Sequence, residues 1–301
     1  MPPGVTVFER GWLSANNILF VGHSGTALVD SGYCTHAPQT LALVEGALGA
    51  RPLDLLLNTH LHSDHCGGNA ALQARYSALR TLIPPGLAPK VIDWDPVALT
   101  YVPTGQLCPR FAIAGVLEPG AEIALGGQVW QAHAAPGHDP HSVVLFEPAS
   151  RTIISADALW ENGFGVIFPE LEGEQAFAEV AGTLDLIERL RPATVIPGHG
   201  KVFSDVTGAM VAARRRLDSF ARDPQRHANH AAKVLLKFKL LELQRISMAA
   251  FTEWARITPY FGMVHSRWFA GQAITQWIEG VAGELVAAGV ARREGDFLVN
   301  V

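Results

Sequence analysis

The segment Thr59–Gly68, THLHSDHCGG, constrains this chain more than any other stretch. His60 and His62 stand two residues apart, directly after the apolar run Leu53–Asn58 (LDLLLN), which reads as a buried strand. In extended backbone, residues i and i+2 point to one side, so both imidazoles can reach one cation. Asp64 and His65 follow within the turn, which swings them towards a second position close by. Gly67 and Gly68 are expected to let the chain bend sharply there without a side chain in the way.

A metal centre needs more donors than these, and three later segments supply them in one repeated design. Each is an apolar strand, a short turn, then a polar residue at the strand's C-terminal edge, where α/β sheets hold their ligands. Pro136–Gly137–His138 follows a strand candidate at Val129–Ala132, and Asp157 lies just past another at Thr152–Ser155. Pro197–Gly198–His199–Gly200 follows a third at Thr194–Ile196. A lone His is usually a surface or capping residue, but accident does not produce this recurrence. Of the 12 histidines, His23, His36, His133, His227, His230 and His265 read as ordinary polar or surface residues.

Further strand candidates are Asn16–Gly22, Thr26–Asp30, Val91–Trp94 and Ser142–Phe146, and helices are expected over Thr40–Gly49 and Gln175–Leu190. This alternation predicts an α/β sandwich over residues 1–207. After Gly200 the character changes. Ala209–Arg245 lacks glycine and reads as a helix interrupted at Asp223–Pro224. A helix around Met248–Ile257, a break at Pro259–Gly262 and a helix around Ala273–Ala288 come next. The end, Ala291–Val301, places a Gly-Asp turn between extended residues. That order predicts a helical, winged-helix-like domain over residues 208–301.

The net charge of −5 gives no whole-chain attraction for nucleic acid or anionic lipid. No run of about 18 apolar residues is present, so a spanning helix and a membrane partner are not expected. The N-terminus lacks a basic-then-apolar leader pattern, and a soluble, cytoplasmic protein is the expectation. Cys34, Cys66 and Cys108 are odd in number and far apart in sequence, so no disulfide framework is expected.

These residues resemble the metallo-β-lactamase fold superfamily over roughly residues 15–202. The His-x-His-x-Asp-His signature is complete at 60–65, and the other elements stand in order as Asp30 (LVDSG), His138 (PGH), Asp157 (SADAL) and His199 (PGHG). The resemblance implies a four-layer αβ/βα sandwich carrying a two-metal hydrolase site. In it His60, His62 and His138 hold one metal, Asp64, His65 and His199 the other, and Asp157 bridges both. Asp30 sits beneath the site and fixes loops. Nitrogen and carboxylate donors without thiolate suit zinc, with iron or manganese as alternatives. Cys66 stands where the family places no ligand and reads as a small buried side chain. Two metals roughly 4 Å apart hold a bridging hydroxide, and a zinc centre lowers the pKa of water to about 7. Asp64 then orients the nucleophile and moves its proton.

The motif style is similar to glyoxalase II and related hydrolases, so the expected substrate is a small acyl thioester or ester. Asp157 occupies the position where zinc β-lactamases often carry a ligating cysteine, which turns the expectation away from β-lactams. His141 follows Asp139–Pro140 directly, where glyoxalase-type sequences have Gly before the second His, and reads either as a residue behind the ligands or facing the substrate, or equally as a surface residue. No clear equivalent of the basic residues that grip glutathione is found. The C-terminal part is similar to the winged-helix appendix of the lactamase-β-like group, some of which are endoribonucleases. From Arg214 to Arg245 nine Lys/Arg face three Asp/Glu. A metal-dependent endoribonuclease or phosphodiesterase guided by Arg214–Arg216, Lys233, Lys237 and Lys239 is therefore the alternative, against a simple solvated helix face. A non-catalytic binding module is a second alternative, disfavoured by the seven intact positions. Trp160, Phe164, Phe168, Trp254, Tyr260, Phe261 and Trp268 are candidate walls of an apolar pocket. A homo-oligomer is left open, and nucleic acid is not the favoured partner.

Overall fold

In the computed structural model, which describes residues 1–23 and 25–301, the strands up to Pro197 form two sheets. The first contains β1 (Val5–Phe8), β2 (Asn17–Gly22), β3 (Gly25–Val29), β4 (Leu55–Leu57), β5 (Arg80–Ile83) and β6 (Gly115–Val116), in that order. It is antiparallel through β1, β2 and β3 and parallel from β3 to β6. The second orders β7 (Glu122–Leu125), β8 (Gln128–Ala134), β9 (Val143–Glu147), β10 (Thr152–Ala156) and β11 (Thr194–Pro197). Only β10 and β11 pair in parallel there. Two antiparallel steps make β8 run with β10, so β8, β10 and β11 all end on one edge.

Side chains alternate between two cores, as a pleated strand requires. Ile18, Phe20, Ala27, Val29 and Leu57 meet Trp130, Ala132, Val143, Leu145, Ile154 and Ile196 of the other sheet. Their neighbours Leu19, Leu28 and Leu56 turn outward, onto Val44, Leu48, Leu72 and Tyr76. Those belong to α1 (Ala37–Leu48) and, after the short α2 (Ser63–Cys66), to α3 (Asn69–Arg75) and its C-cap Tyr76. Being apolar on both faces explains why the strands read as continuous hydrophobic runs. The fold is the four-layer αβ/βα sandwich expected from the sequence.

Two local expectations fail for one reason. Val91–Trp94 is not a strand; it lies in and just past α4 (Ala88–Asp93), with Pro89 in the first turn and Trp94 closing it at φ 56°. Pro259 does not break the chain. After the short α5 (Tyr101–Thr104), α6 (Phe168–Glu172), α7 (Phe177–Leu190), α8 (Val206–Arg222), α9 (Pro224–Leu243) and α10 (Met248–Ile257), it opens α11 (Pro259–Val264). A proline in the first helical turn gives up only an N–H that has no intrahelical partner, so it starts helices as readily as it ends them.

The chain divides into two compact units: residues 1–99 with 107–218, and residues 100–106 with 219–301. The division falls within α8. The second unit holds α5, α9, α10, α11 and α12 (Ile274–Ala287). It also has an antiparallel sheet of β12 (Arg245–Ser247), β13 (Ala291–Glu294) and β14 (Phe297–Asn300), with β14 in the middle. Its core includes Leu236, Phe251, Phe261, Trp277, Ile278 and Leu298. Among the described residues no helix is long and apolar enough to cross a membrane.

Candidate metal centre

The C-terminal ends of β3, β4, β8, β10 and β11 bring the polar residues of the sequence motifs together. Asp30 ends β3 at φ 58°, and Ala156, at φ 46°, turns the chain just before Asp157. Left-handed backbone costs a residue with a Cβ roughly 1–2 kcal/mol, so both positions carry strain where side chains are aimed. Gly198 has to be glycine, because a Cβ there would sit 2.2 Å from Asp157 Oδ1. Gly67 and Gly68, expected to serve a sharp bend, are glycine for a different reason. Both have ordinary negative φ at the α2–α3 junction; what excludes a side chain is close approach to the Ser63 and Ser31 carbonyls and the Cys34 amide.

Three groups of donor atoms, each within 4.8 Å of one another, are formed by His60, His62 and His138, by Asp64, His65 and His199, and by His60, His65 and Asp157. Asp157 straddles the first two. Its Oδ2 is 3.3 Å from His138 Nε2, while its Oδ1 is 3.3 Å from His65 Nε2 and 3.8 Å from His199 Nε2. Trp160 Nε1–H donates to that Oδ1 at 3.3 Å.

The partners behind the rings decide which nitrogens carry protons. His65 Nδ1–H donates to Asp30 Oδ2 at 2.7 Å, and His138 Nδ1–H donates to the Val166 carbonyl at 2.5 Å. Asp30 also accepts the Thr59 amide (2.9 Å) and hydroxyl (2.8 Å). With its hydrogen spent on Asp30, the Thr59 hydroxyl can only accept from His60 Nδ1–H, 3.2 Å away. In His62 it is Nε2 that faces a carboxylate, Asp139 Oδ2, at 4.0 Å. His60, His65 and His138 are thereby left with Nε2 turned inward. The His60 and His65 atoms are buried with no hydrogen-bond partner, and His62 Nδ1 stands 2.8 Å from His138 Nε2. That last pair is within hydrogen-bond distance of each other, but the buried, partnerless nitrogens of His60 and His65 are of a kind rare in folded proteins. The donor set therefore fits divalent metals.

The electrostatics set His65 apart from the other rings. Burial, then the neighbouring imidazoles, holds His60 well below the usual histidine range. Burial and His138 lower His62 to about 4. Burial works against charge on His65 as well, but Asp30 and Asp157 outweigh it and raise its pKa well above the ordinary value. For Asp157, burial is overcome by His65 and His199, and the carboxyl stays well below the carboxylate range. Burial also opposes ionisation of Asp64, and the His199 hydrogen bond at 3.1 Å reverses this. The cradle opens where His62 and Asp64 are 15% and 14% exposed.

Rings line that opening. Phe168 lies edge-on to His62 and His138. Trp12 stacks on His199 at 5.3 Å, meets Trp160 edge-on, and is 57% exposed. Of the aromatic candidates, Trp160 and Phe168 are at the cradle and Phe164 is buried nearby, while Trp254, Tyr260, Phe261 and Trp268 belong to the second unit. His141 is not among the converging donors, and its ring lies against Gly86. Reading His227 as a polar or surface residue is corrected: it is buried against Phe220.

Sequence reasoning missed Trp12 and Asn16. Asn16 donates to the carbonyls of Pro197 (2.9 Å) and Gly200 (2.8 Å), and its amide donates to Gly198, pinning the loop that carries His199. The only signal is two consecutive asparagines opening an apolar strand.

The family model of the metallo-beta-lactamase superfamily matches residues 10–199. A hydroxyacylglutathione hydrolase of Anaeromyxobacter dehalogenans is 31% identical over 161 residues, 53% of this chain and 52% of its own length. The chain thus spans about half the length of that relative. An acyl-coenzyme A thioesterase of Gallus gallus is 27% identical over 224 residues, covering 67% of this chain and 80% of the relative. Among solved structures, a beta-lactamase domain protein from Burkholderia ambifaria matches with a TM-score of 0.60 at 19% identity, over 100% of this chain and 93% of that one. At that identity the likeness speaks for the fold alone.

Proposed function

Since the chain belongs to the metallo-beta-lactamase superfamily, we propose that it is a dinuclear metal-dependent hydrolase of a small acyl substrate, a thioester or ester. His60, His62 and His138 hold one divalent cation, Asp64, His65 and His199 hold a second, and Asp157 serves both. The inward-facing Nε2 atoms of His60, His65 and His138, each ring held by a hydrogen bond on its far side, carry this reading. Zinc is the first candidate for a nitrogen and carboxylate set, with iron and manganese compatible.

When bound, such cations supply Lewis acidity to a carbonyl oxygen and acidify water. The protein's own groups do the rest. Asp64, ionised and at the open rim, is placed to orient an attacking water and to take its proton. Trp160 steadies the Asp157 carboxylate through its indole N–H. Trp12 and Phe168 shield the rim from bulk water and offer apolar contact to an acyl group. The names of both relatives point to thioesters, which supports that bond over a phosphodiester.

The test is metal analysis of protein purified without chelators, followed by a panel of acyl thioesters, p-nitrophenyl esters, bis-p-nitrophenyl phosphate and single-stranded RNA. Thioester or ester turnover should accompany two metal equivalents. His138→Ala should lose metal and reduce turnover on the order of a thousandfold or more. If RNA were cut while every acyl substrate stayed inert, the proposal would fall. A fully active, metal-replete His138→Ala variant would remove the ligand assignment.

A further inference from the structure

Cys66 and Cys108 are 42 residues apart in sequence, yet their sulfurs lie 3.8 Å from each other. Neither is in a disulfide. We propose that they are a reversible disulfide site, and that closing it loosens the adjacent metal cradle. Cys66 ends α2, one residue after His65, and is fully buried. Its thiol faces the carbonyls of Leu61 at 3.4 Å and His62 at 3.3 Å, so its S–H tethers the loop that carries His60 and His62. Cys108 is half-buried, in a stretch without helix or strand between Gly105 and Ala114. A disulfide needs the sulfurs about 2.05 Å apart. The irregular backbone around Cys108 is the side that can move to supply the difference.

The order of events follows from access. A hydroperoxide oxidises the more accessible Cys108: the sulfur attacks one peroxide oxygen, the O–O bond breaks, and an alcohol (water, for hydrogen peroxide) leaves as Cys108 becomes a sulfenic acid. The Cys66 sulfur then attacks the sulfenic sulfur, the S–O bond breaks, and water departs. In sum, two thiols give up two electrons and two hydrogens to one peroxide, and a dithiol reductant reverses the reaction by exchange. Cys34 stands close by, its thiol facing the Leu107 carbonyl at 3.4 Å, and remains reduced.

In the oxidised form Cys66 has no S–H left for the Leu61 and His62 carbonyls. The ligand loop then loses a tether and is drawn towards Cys108. This second half rests on the metal reading above, whereas the disulfide itself does not.

The intact protein, as purified, would be treated with hydrogen peroxide, quenched and unfolded for thiol counting and peptide mapping. The three thiols should fall to one, with a Cys66–Cys108 linked peptide lighter by two hydrogens, and a dithiol should restore all three. Cys108→Ser should abolish the linked peptide, and Cys34→Ser should leave it unchanged. Three surviving thiols, or a link formed through Cys34 instead, would overturn the site. A competing chelator should strip metal from the oxidised protein about tenfold faster than from the reduced one. Equal rates would overturn the coupling and leave the disulfide standing. Metal-free protein in both states would sink the metal reading and the coupling together, with the thiol count unaffected.

Discussion

Both units of the chain bury or crowd groups that can carry charge, and they deal with them in opposite ways. In the first unit, ring after ring is held from behind so that its second nitrogen points to a common centre: His65 by Asp30, His138 by the Val166 carbonyl, His60 by Thr59. In the second, the helix cations have private partners. Lys233 pairs with Glu284 at 3.0 Å, Lys239 pairs with Glu242 at 3.0 Å, and Lys237 donates to the Val290 carbonyl and to Asn300. Arg214 and Arg216, in the first-unit part of α8, are engaged likewise, by Asp185 and Glu188 and by the Phe164 carbonyl. A site is recognised by what its groups still lack, and a set of charges already matched offers little to a ligand. Local density of charge, which drew the nuclease alternative from the sequence, does not separate these cases; the partner behind each group does.

The sharpest way to break this contrast is to remove a rear partner and leave every ligand in place. Asp30→Asn keeps the shape but takes away the charge that accepts from His65 Nδ1–H and Thr59. Loss of such an outer partner lowers metal affinity by about ten- to a hundredfold. Chelator competition on folded protein would read this directly. An unchanged affinity would mean that Asp30 holds loops alone and that the rings orient themselves.

The convergence of these donors was legible in the sequence because each follows an apolar strand, and strand ends on one edge of a sheet converge whatever the loops do. The rear partners were mostly hidden. Val166 acts through a backbone carbonyl, which any residue type provides, and Asn16 acts on loops about 180 residues away. Trp12 stood in a stretch with no periodicity to mark it. The cysteine pair was hidden for the same reason: separation along the chain says nothing about two loops that close on one site. Pro259 and Val91–Trp94 misled because proline and β-branched runs were read without their helical context.

His227 sharpens the comparison from the other side, as a buried histidine whose environment favours the neutral ring. Burial, with His230 as a lesser cause, lowers its pKa from 6.5 to about 3. Below pH 6.5 the unfolded chain binds a proton that the folded ring refuses until about pH 3, so this contribution is complete above 6.5 and is lost as pH falls through that window. The slope is at most about 1.4 kcal/mol per pH unit. Urea unfolding at pH 7 and pH 5, followed for the second unit, should show that loss in the wild type and much less of it in His227→Leu. Equal losses in both proteins would place the acid sensitivity elsewhere.

The smallest expected effect carries the most weight for the nuclease alternative. Lys233 is half-buried at the surface and paired with Glu284, and a surface pair of that kind is worth roughly 0–1 kcal/mol. Lys233→Ala should therefore change stability by no more than about 1 kcal/mol and leave acyl turnover where it was. As a phosphate guide it would behave differently. Removing one phosphate contact weakens binding across all sequences and reduces the salt dependence of RNA affinity by about one unit of slope. Measuring single-stranded RNA retention against salt for the wild type and this variant decides between the two, because an ion pair already satisfied within its own unit leaves no such signature. A clear drop in slope would show that Glu284 releases the lysine to a ligand, and the contrast drawn between matched and unmatched charge would then fail at the residue where it is easiest to test.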